Sequence, residues 1–127
     1  MSTVAGGCAR QGETCGAIIG AVAAINLVIG RETMSDVAAY QAAMPASIAA
    51  FDRFRRALKA EFGFKDDLQN AFCREIQKRI YGRGFIMTDP ADLAAFIAAG
   101  GHTEKGCPLV CAVAAEIAAE KLVELGK

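Results

Sequence analysis

The sequence predicts an all-α protein, a compact bundle of about five helices making one domain over residues 1–127. Three observations carry that reading. Alanine is the commonest residue while β-branched and aromatic residues are sparse. Apolar residues recur at spacings of three and four, with no alternating strand-type runs. A chain of 127 residues is also enough for one core and too short for two.

Before the first helix, Gly6, Gly7 and Gly12 surround Cys8 together with Arg10, Gln11 and Glu13, a composition that predicts a flexible loop. From Cys15 the pattern turns helical and stays apolar on nearly every face to Ile29, with Gly16 and Gly20 on one side for close backbone approach and Gly30 as the stop. At 15 residues, Gly16 to Gly30 falls short of the roughly 20 needed to span a bilayer. Ser35 and Asp36 offer caps for a second helix running to Phe62 with a bend at Pro45. Its apolar stripe is Ile48, Phe51, Phe54, Leu58 and Phe62, while Arg53, Arg55, Arg56 and Lys59 form a solvated face.

Leu68, Phe72, Ile76 and Ile80, each four apart, predict a third helix over Asp67 to Tyr81 with Cys73 beside the stripe. Asp89-Pro90 opens a short fourth helix over Leu93 to Ala99, which Gly100-Gly101 ends. The last helix starts at Cys107-Pro108 and runs to about Leu125, with Val110, Val113, Ala114, Ile117, Ala118 and Leu125 showing a period near 3.6.

Fourteen basic and fourteen acidic residues leave no net charge, which argues against nucleic acid as a partner. There is no Walker A loop, dinucleotide fingerprint, c-type haem motif or acid–base constellation. His102, the only histidine, reads as a surface-loop residue, and Glu116 and Glu120 read as solvated.

Chemistry therefore rests on five cysteines: Cys8, Cys15, Cys73, Cys107 and Cys111. Seven residues ahead of Cys8 are too few for a lipoprotein signal, and with no export signal the expected setting is the reducing cytoplasm, where such thiols bind metal or do redox chemistry. Cys15 and Cys107 stand at predicted helix N-termini, where free amides and the helix dipole favour a thiolate and lower its pKa. Cys107 and Cys111, four apart, project from one side of a helix. The intervals match neither zinc ribbons nor the short cysteine run of bacterial ferredoxins.

The run Gly12-Glu13-Thr14-Cys15-Gly16-Ala17-Ile18-Ile19-Gly20 resembles the signature of the C_GCAxxG_C_C family of small redox proteins. Gly30, Phe62-Gly63, Cys73-Arg74-Glu75-Ile76 and Cys107-Pro108-Leu109-Val110 extend the match over nearly the whole chain. That family resembles in turn the iron–sulfur part of split-Soret cytochrome c, a homodimer. The resemblance implies a helical, cysteine-liganded redox domain of anaerobic metabolism, carrying an iron–sulfur cluster and working with a redox partner protein. Cys15, Cys73 and Cys107 match family cysteines. Family members usually carry a longer N-terminal segment with a first cysteine, for which Cys8 is the substitute by position, and Cys111 is a spare or a replacement.

The resulting expectation is an electron-transfer or redox-storage protein whose [2Fe–2S] or [4Fe–4S] cluster is held by Cys8, Cys15, Cys73 and Cys107. The alternative is a thiol–disulfide oxidoreductase in which Cys107 attacks and Cys111 or Cys15 resolves. A four-cysteine zinc domain and a helical interaction protein with inert cysteines stand behind these. The 54% hydrophobic composition adds the expectation of a symmetric homodimer.

Overall fold

A computed structural model describes residues 2–127. A single 3-10 turn at Ser2–Val4 precedes α1 (Gly16–Ile29), α2 (Val37–Phe62), α3 (Cys73–Tyr81), α4 (Pro90–Ala98) and α5 (Cys107–Glu124). The only pairing of extended backbone among the described residues is an antiparallel bridge between Thr14 and Phe72.

Helices α1, α2 and α5 pack together and form the main core. Each contributes one buried stripe: Ile18, Ala21 and Ile25 from α1, Ala50, Phe54 and Leu58 from α2, and Val110, Val113, Ala114, Ile117 and Ala118 from α5. The α5 stripe is the one its sequence period predicts except at Leu125, which caps the helix end and lies outside the core. On α2 the stripe runs 50, 54, 58, so Phe54 and Leu58 are buried as expected, Phe51 and Phe62 pack at the margin, and Ile48 instead points outward, 54% exposed. Helix α2 continues unbroken through Pro45. The one polar residue of α1, Asn26, is satisfied by donating to Ser47 Oγ on α2 at 2.9 Å and to its own helix at Val22 O.

Two expectations for α1 change. Its apolar surface is buried on one side only: Leu27 is 89% exposed and Val28 is also exposed. Of its two glycines, only Gly16 meets neighbouring backbone, the Val4 carbonyl group, whereas nothing approaches Gly20.

A smaller apolar cluster of Phe85, Met87 and Phe96, flanked by Tyr81, Leu93 and Cys107, sits where α3 and α4 meet the start of α5. Asp89 caps α4 by accepting from the Asp92 amide at 2.9 Å, and Pro90 takes the first helical position, as the sequence indicates.

The third helix is shorter than its period suggests. Asn70 accepts from the Phe72 amide at 3.0 Å, Phe72 is extended, and the bridge to Thr14 occupies the backbone there, so the helix starts at Cys73 rather than Asp67. Leu68 is buried from the preceding loop, and the four-residue spacing continues outside the helix by coincidence of packing.

The glycine-rich start is not a loose loop. Gly6, Gly7, Cys8, Ala9 and Arg10 all have φ between 51° and 74°, a left-handed turn closed by bonds such as Cys8 N–H to Val4 O and Glu13 N–H to Gly7 O. Three of these residues are not glycine, each at a steric cost of about 1–2 kcal/mol.

On α2, Arg53 pairs with Glu120, Arg55 with Asp52, and Lys59 with Asp67, so this basic face is balanced by nearby acids. Pairs this exposed contribute about 0–1 kcal/mol each.

Two substitutions test this packing. Phe54→Ala removes a fully buried ring at the centre of three helices and is expected to cost about 3–5 kcal/mol in denaturant unfolding. Gly7→Ala is expected to cost more than about 1 kcal/mol, because at φ 74° its methyl group would meet the Glu13 carbonyl at 2.5 Å and the Cys73 Cβ at 2.7 Å.

Candidate metal centre

Cys15 and Cys73 are brought together by the bridge. Its two hydrogen bonds are Cys15 N–H to Ala71 O at 2.8 Å and Cys73 N–H to Glu13 O at 2.7 Å. This is the widely spaced pattern of an antiparallel pair, in which the central residues, Thr14 and Phe72, approach most closely. The backbone of both cysteines is thereby committed before either helix begins. Arg74 reinforces the junction by pairing with Glu13 at 3.0 Å.

Each cysteine then stands at a helix start. Cys15 is the N-cap of α1, Cys73 the first residue of α3, and Cys107 the first residue of α5 after an N-capping Gly106. Sequence reasoning found the first and third. It missed Cys73 because the Leu68–Phe72 pattern reads as helix, and the signal against it, an Asn70 side chain able to cap its own backbone, is a local one.

A cavity of about 570 Å³ lies between the left-handed turn and the starts of α1, α3 and α5. Cys15, Cys73, Cys107 and Cys111 all line it. Apolar groups from the smaller cluster, Met87, Leu93 and Phe96, form another wall, and Arg10 and His102 also contribute to the lining. His102 is exposed, as its loop position predicts, yet its ring stands edge-on to Phe96 with centroids 5.6 Å apart. Cys8 is not among the lining residues; its thiol turns toward the Thr14 carbonyl oxygen, 3.9 Å away. The four cysteines that share the cavity are therefore not the four singled out by position.

Burial differs along this set. Cys73 is buried, Cys15 and Cys107 are half-buried, and Cys111 is exposed. Two side chains of α3 reach the sulfurs: Gln77 Nε2 donates toward Cys73 Sγ at 3.7 Å, and the Tyr81 hydroxyl group meets Cys107 Sγ at 3.7 Å.

The expected lowering of the thiol pKa at helix starts is overturned. Loss of solvation dominates at Cys15, pushing it up to about 11, although the Ala17 and Ile18 amides act in the opposite direction without forming an N-cap hydrogen bond of normal geometry. Cys73 is pushed up to about 12 by burial first and then by the charges of Cys15 and Cys107. Cys107 is raised by burial, against the Tyr81 hydrogen bond. Burial likewise raises Tyr81. These thiols sense one another: ionising any of them makes the next harder to ionise.

Among the described residues, no three His, Cys, Asp or Glu side chains lie close enough to share one metal ion. Cys15, Cys73, Cys107 and Cys111 line one cavity without any three of them meeting at a single point.

The raised pKa values set a pH dependence for the reduced, metal-free protein. In the unfolded chain these thiols ionise near the ordinary value of 9.0, but in the folded chain Cys15 and Cys73 hold their protons to about 11 and about 12. Between those limits the unfolded state binds fewer protons, so stability is fully present below about pH 9 and falls as pH rises through 11 to 12. Thermal melts at about pH 8 and about pH 11 should show a lower midpoint at the higher pH, and Cys73→Ala should reduce the difference.

No helix among the described residues is long and apolar enough to cross a membrane. Comparison with curated proteins and with solved structures finds no match. Residues 1–121 match the family described as "Putative redox-active protein (C_GCAxxG_C_C)", which covers the left-handed turn, all five cysteines and nearly the whole of α5. The chain belongs to the C_GCAxxG_C_C family of redox proteins.

Proposed function

We propose that residues 1–127 act as one cytoplasmic redox domain that binds an iron–sulfur cluster through cysteine thiolates and serves electron transfer or redox storage. The observation that carries this reading is the gathering of four thiols around one cavity, where burial and mutual repulsion oppose the ionisation of Cys15 and Cys73. A cationic iron centre would offset this cost, since a multiply charged metal draws protons off several neighbouring thiols at once. When bound, a cluster of this kind takes up and releases single electrons.

The donor set fits. Cys15, Cys73 and Cys107 come from three separate elements, so ligation would tie α1, α3 and α5 together. Cys111, one helical turn beyond Cys107 and exposed where it lines the same cavity, supplies the fourth thiolate. This choice replaces Cys8, whose sulfur is directed at Thr14. Four thiolates accommodate either a [2Fe–2S] or a [4Fe–4S] core. The thiol–disulfide alternative is less well supported, because an attacking thiol needs thiolate character and burial raises the pKa of Cys107.

Anaerobic reconstitution with ferrous iron and sulfide tests the ligand set. Cys15→Ser, Cys73→Ser, Cys107→Ser and Cys111→Ser are each expected to lose most of the bound iron and sulfide, with Cys8→Ser close to wild type. Full iron content in all five variants would refute cysteine ligation, and loss in Cys8→Ser with retention in Cys111→Ser would restore the left-handed turn as a source of the fourth ligand.

The reading includes a symmetric homodimer alongside a separate redox partner protein. Its support is the run of exposed apolar side chains where α1 ends and α2 begins: Leu27, Val28, Met34, Val37 and Tyr40. Light scattering of the reconstituted protein at micromolar concentration should give twice 13.3 kDa, and Leu27→Lys should reduce it to the single-chain mass.

A further inference from the structure

Cys73, Gln77 and Tyr81 follow one another at four-residue intervals and form a single stripe along α3. Gln77 is 2% exposed and the only buried polar residue in the core of the described residues. Its amide orientation follows from donor accounting. The Phe85 N–H donates to Gln77 Oε1 at 3.0 Å, and only the oxygen of that amide can accept, so the NH₂ group must face Cys73 Sγ. A buried N–H aimed at sulfur finds a poor acceptor in a neutral thiol and a good one in a thiolate. Tyr81 repeats the arrangement one turn later. Phe85 and Phe96 pack edge-on against its ring, with centroids at 6.0 and 5.5 Å, and hold the hydroxyl group at Cys107 Sγ.

We infer that Gln77 and Tyr81 are positioning residues that donate hydrogen bonds to the Cys73 and Cys107 sulfurs and thereby raise the reduction potential of the centre those sulfurs hold. The inference rests on the iron–sulfur reading. Reduction adds negative charge to the centre and its thiolates, and a hydrogen-bond donor at sulfur stabilises the reduced form more than the oxidised one. Two donors on one helix, directed at ligands from two different helices, make α3 the element that sets the potential.

The test compares wild type, Tyr81→Phe and Gln77→Leu after anaerobic reconstitution with ferrous iron and sulfide, reading iron and sulfide content, visible spectrum and midpoint potential. Tyr81→Phe keeps the ring and its packing, so it should retain full iron and sulfide. Its potential should fall, by up to about a tenfold change in the reduced-to-oxidised ratio, or about 59 mV for a one-electron couple. Gln77→Leu should shift it the same way; should that variant fail to fold, Tyr81→Phe decides alone. Wild-type potential in Tyr81→Phe, or loss of the cluster from a Tyr81→Phe protein of unchanged helicity, would overturn the tuning role. Wild-type protein that takes up no iron and sulfide would overturn the iron–sulfur reading itself, and this inference with it.

Discussion

The antiparallel bridge between Thr14 and Phe72 is the constraint on which the site depends. Two backbone hydrogen bonds, one from the amide of each adjoining cysteine, join segments nearly sixty residues apart. Apolar packing of Leu68, Ala71 and Ile76 sets the segment around α3 against the same core as Ile18 and Ile25, and the bridge fixes the register in which the start of α3 meets the start of α1. The bridge also explains features that look unrelated: the late start of α3, the extended Phe72, and Gly7, whose missing side chain lets the left-handed turn lie against Glu13 and Cys73.

Labour is divided between two packed regions. The α1–α2–α5 core is held mainly by apolar burial, with Asn26–Ser47 and Arg53–Glu120 as polar links between its helices. The smaller cluster around Phe85 and Phe96 meets Cys107 at the start of α5, and α3 links the two regions, with Ile76 in the larger core and Tyr81 against the smaller cluster. A centre ligated across that junction would join the weaker elements to the stronger one, and its binding free energy would add to theirs.

Helix starts act here differently from the usual picture. Exposed helix N-termini lower a thiol pKa, but at Cys15 the opposing effect of burial is larger, and at Cys73 the neighbouring thiols add to it. The oriented amides contribute in the favourable direction without winning. Burial of this kind keeps Cys15 and Cys73 protonated, in contrast to a nucleophilic cysteine site, which needs thiolate character.

Much was legible from residues alone. The five helices, the Asp89-Pro90 start and the α5 stripe follow from period and capping chemistry, because helical pattern is local: it depends on residues three and four apart. The redox family was legible from the run around Cys15 and its later cysteines. Tertiary structure decided what depends on distant segments. Ile48 fits a helical stripe by spacing, yet the direction from which α1 and α5 approach α2 leaves it outside. Cys73 reads as a mid-helix residue until Thr14 pairs with Phe72. That Cys111 and not Cys8 lines the cavity has the same origin: a left-handed turn spanning three non-glycine residues carries no clear sequence period, and it directs the Cys8 sulfur to Thr14, while α5 sets the exposed Cys111 at the cavity one turn after Cys107. Helix identity is set by local backbone chemistry, whereas the company each cysteine keeps is set by long-range pairing that no single segment encodes.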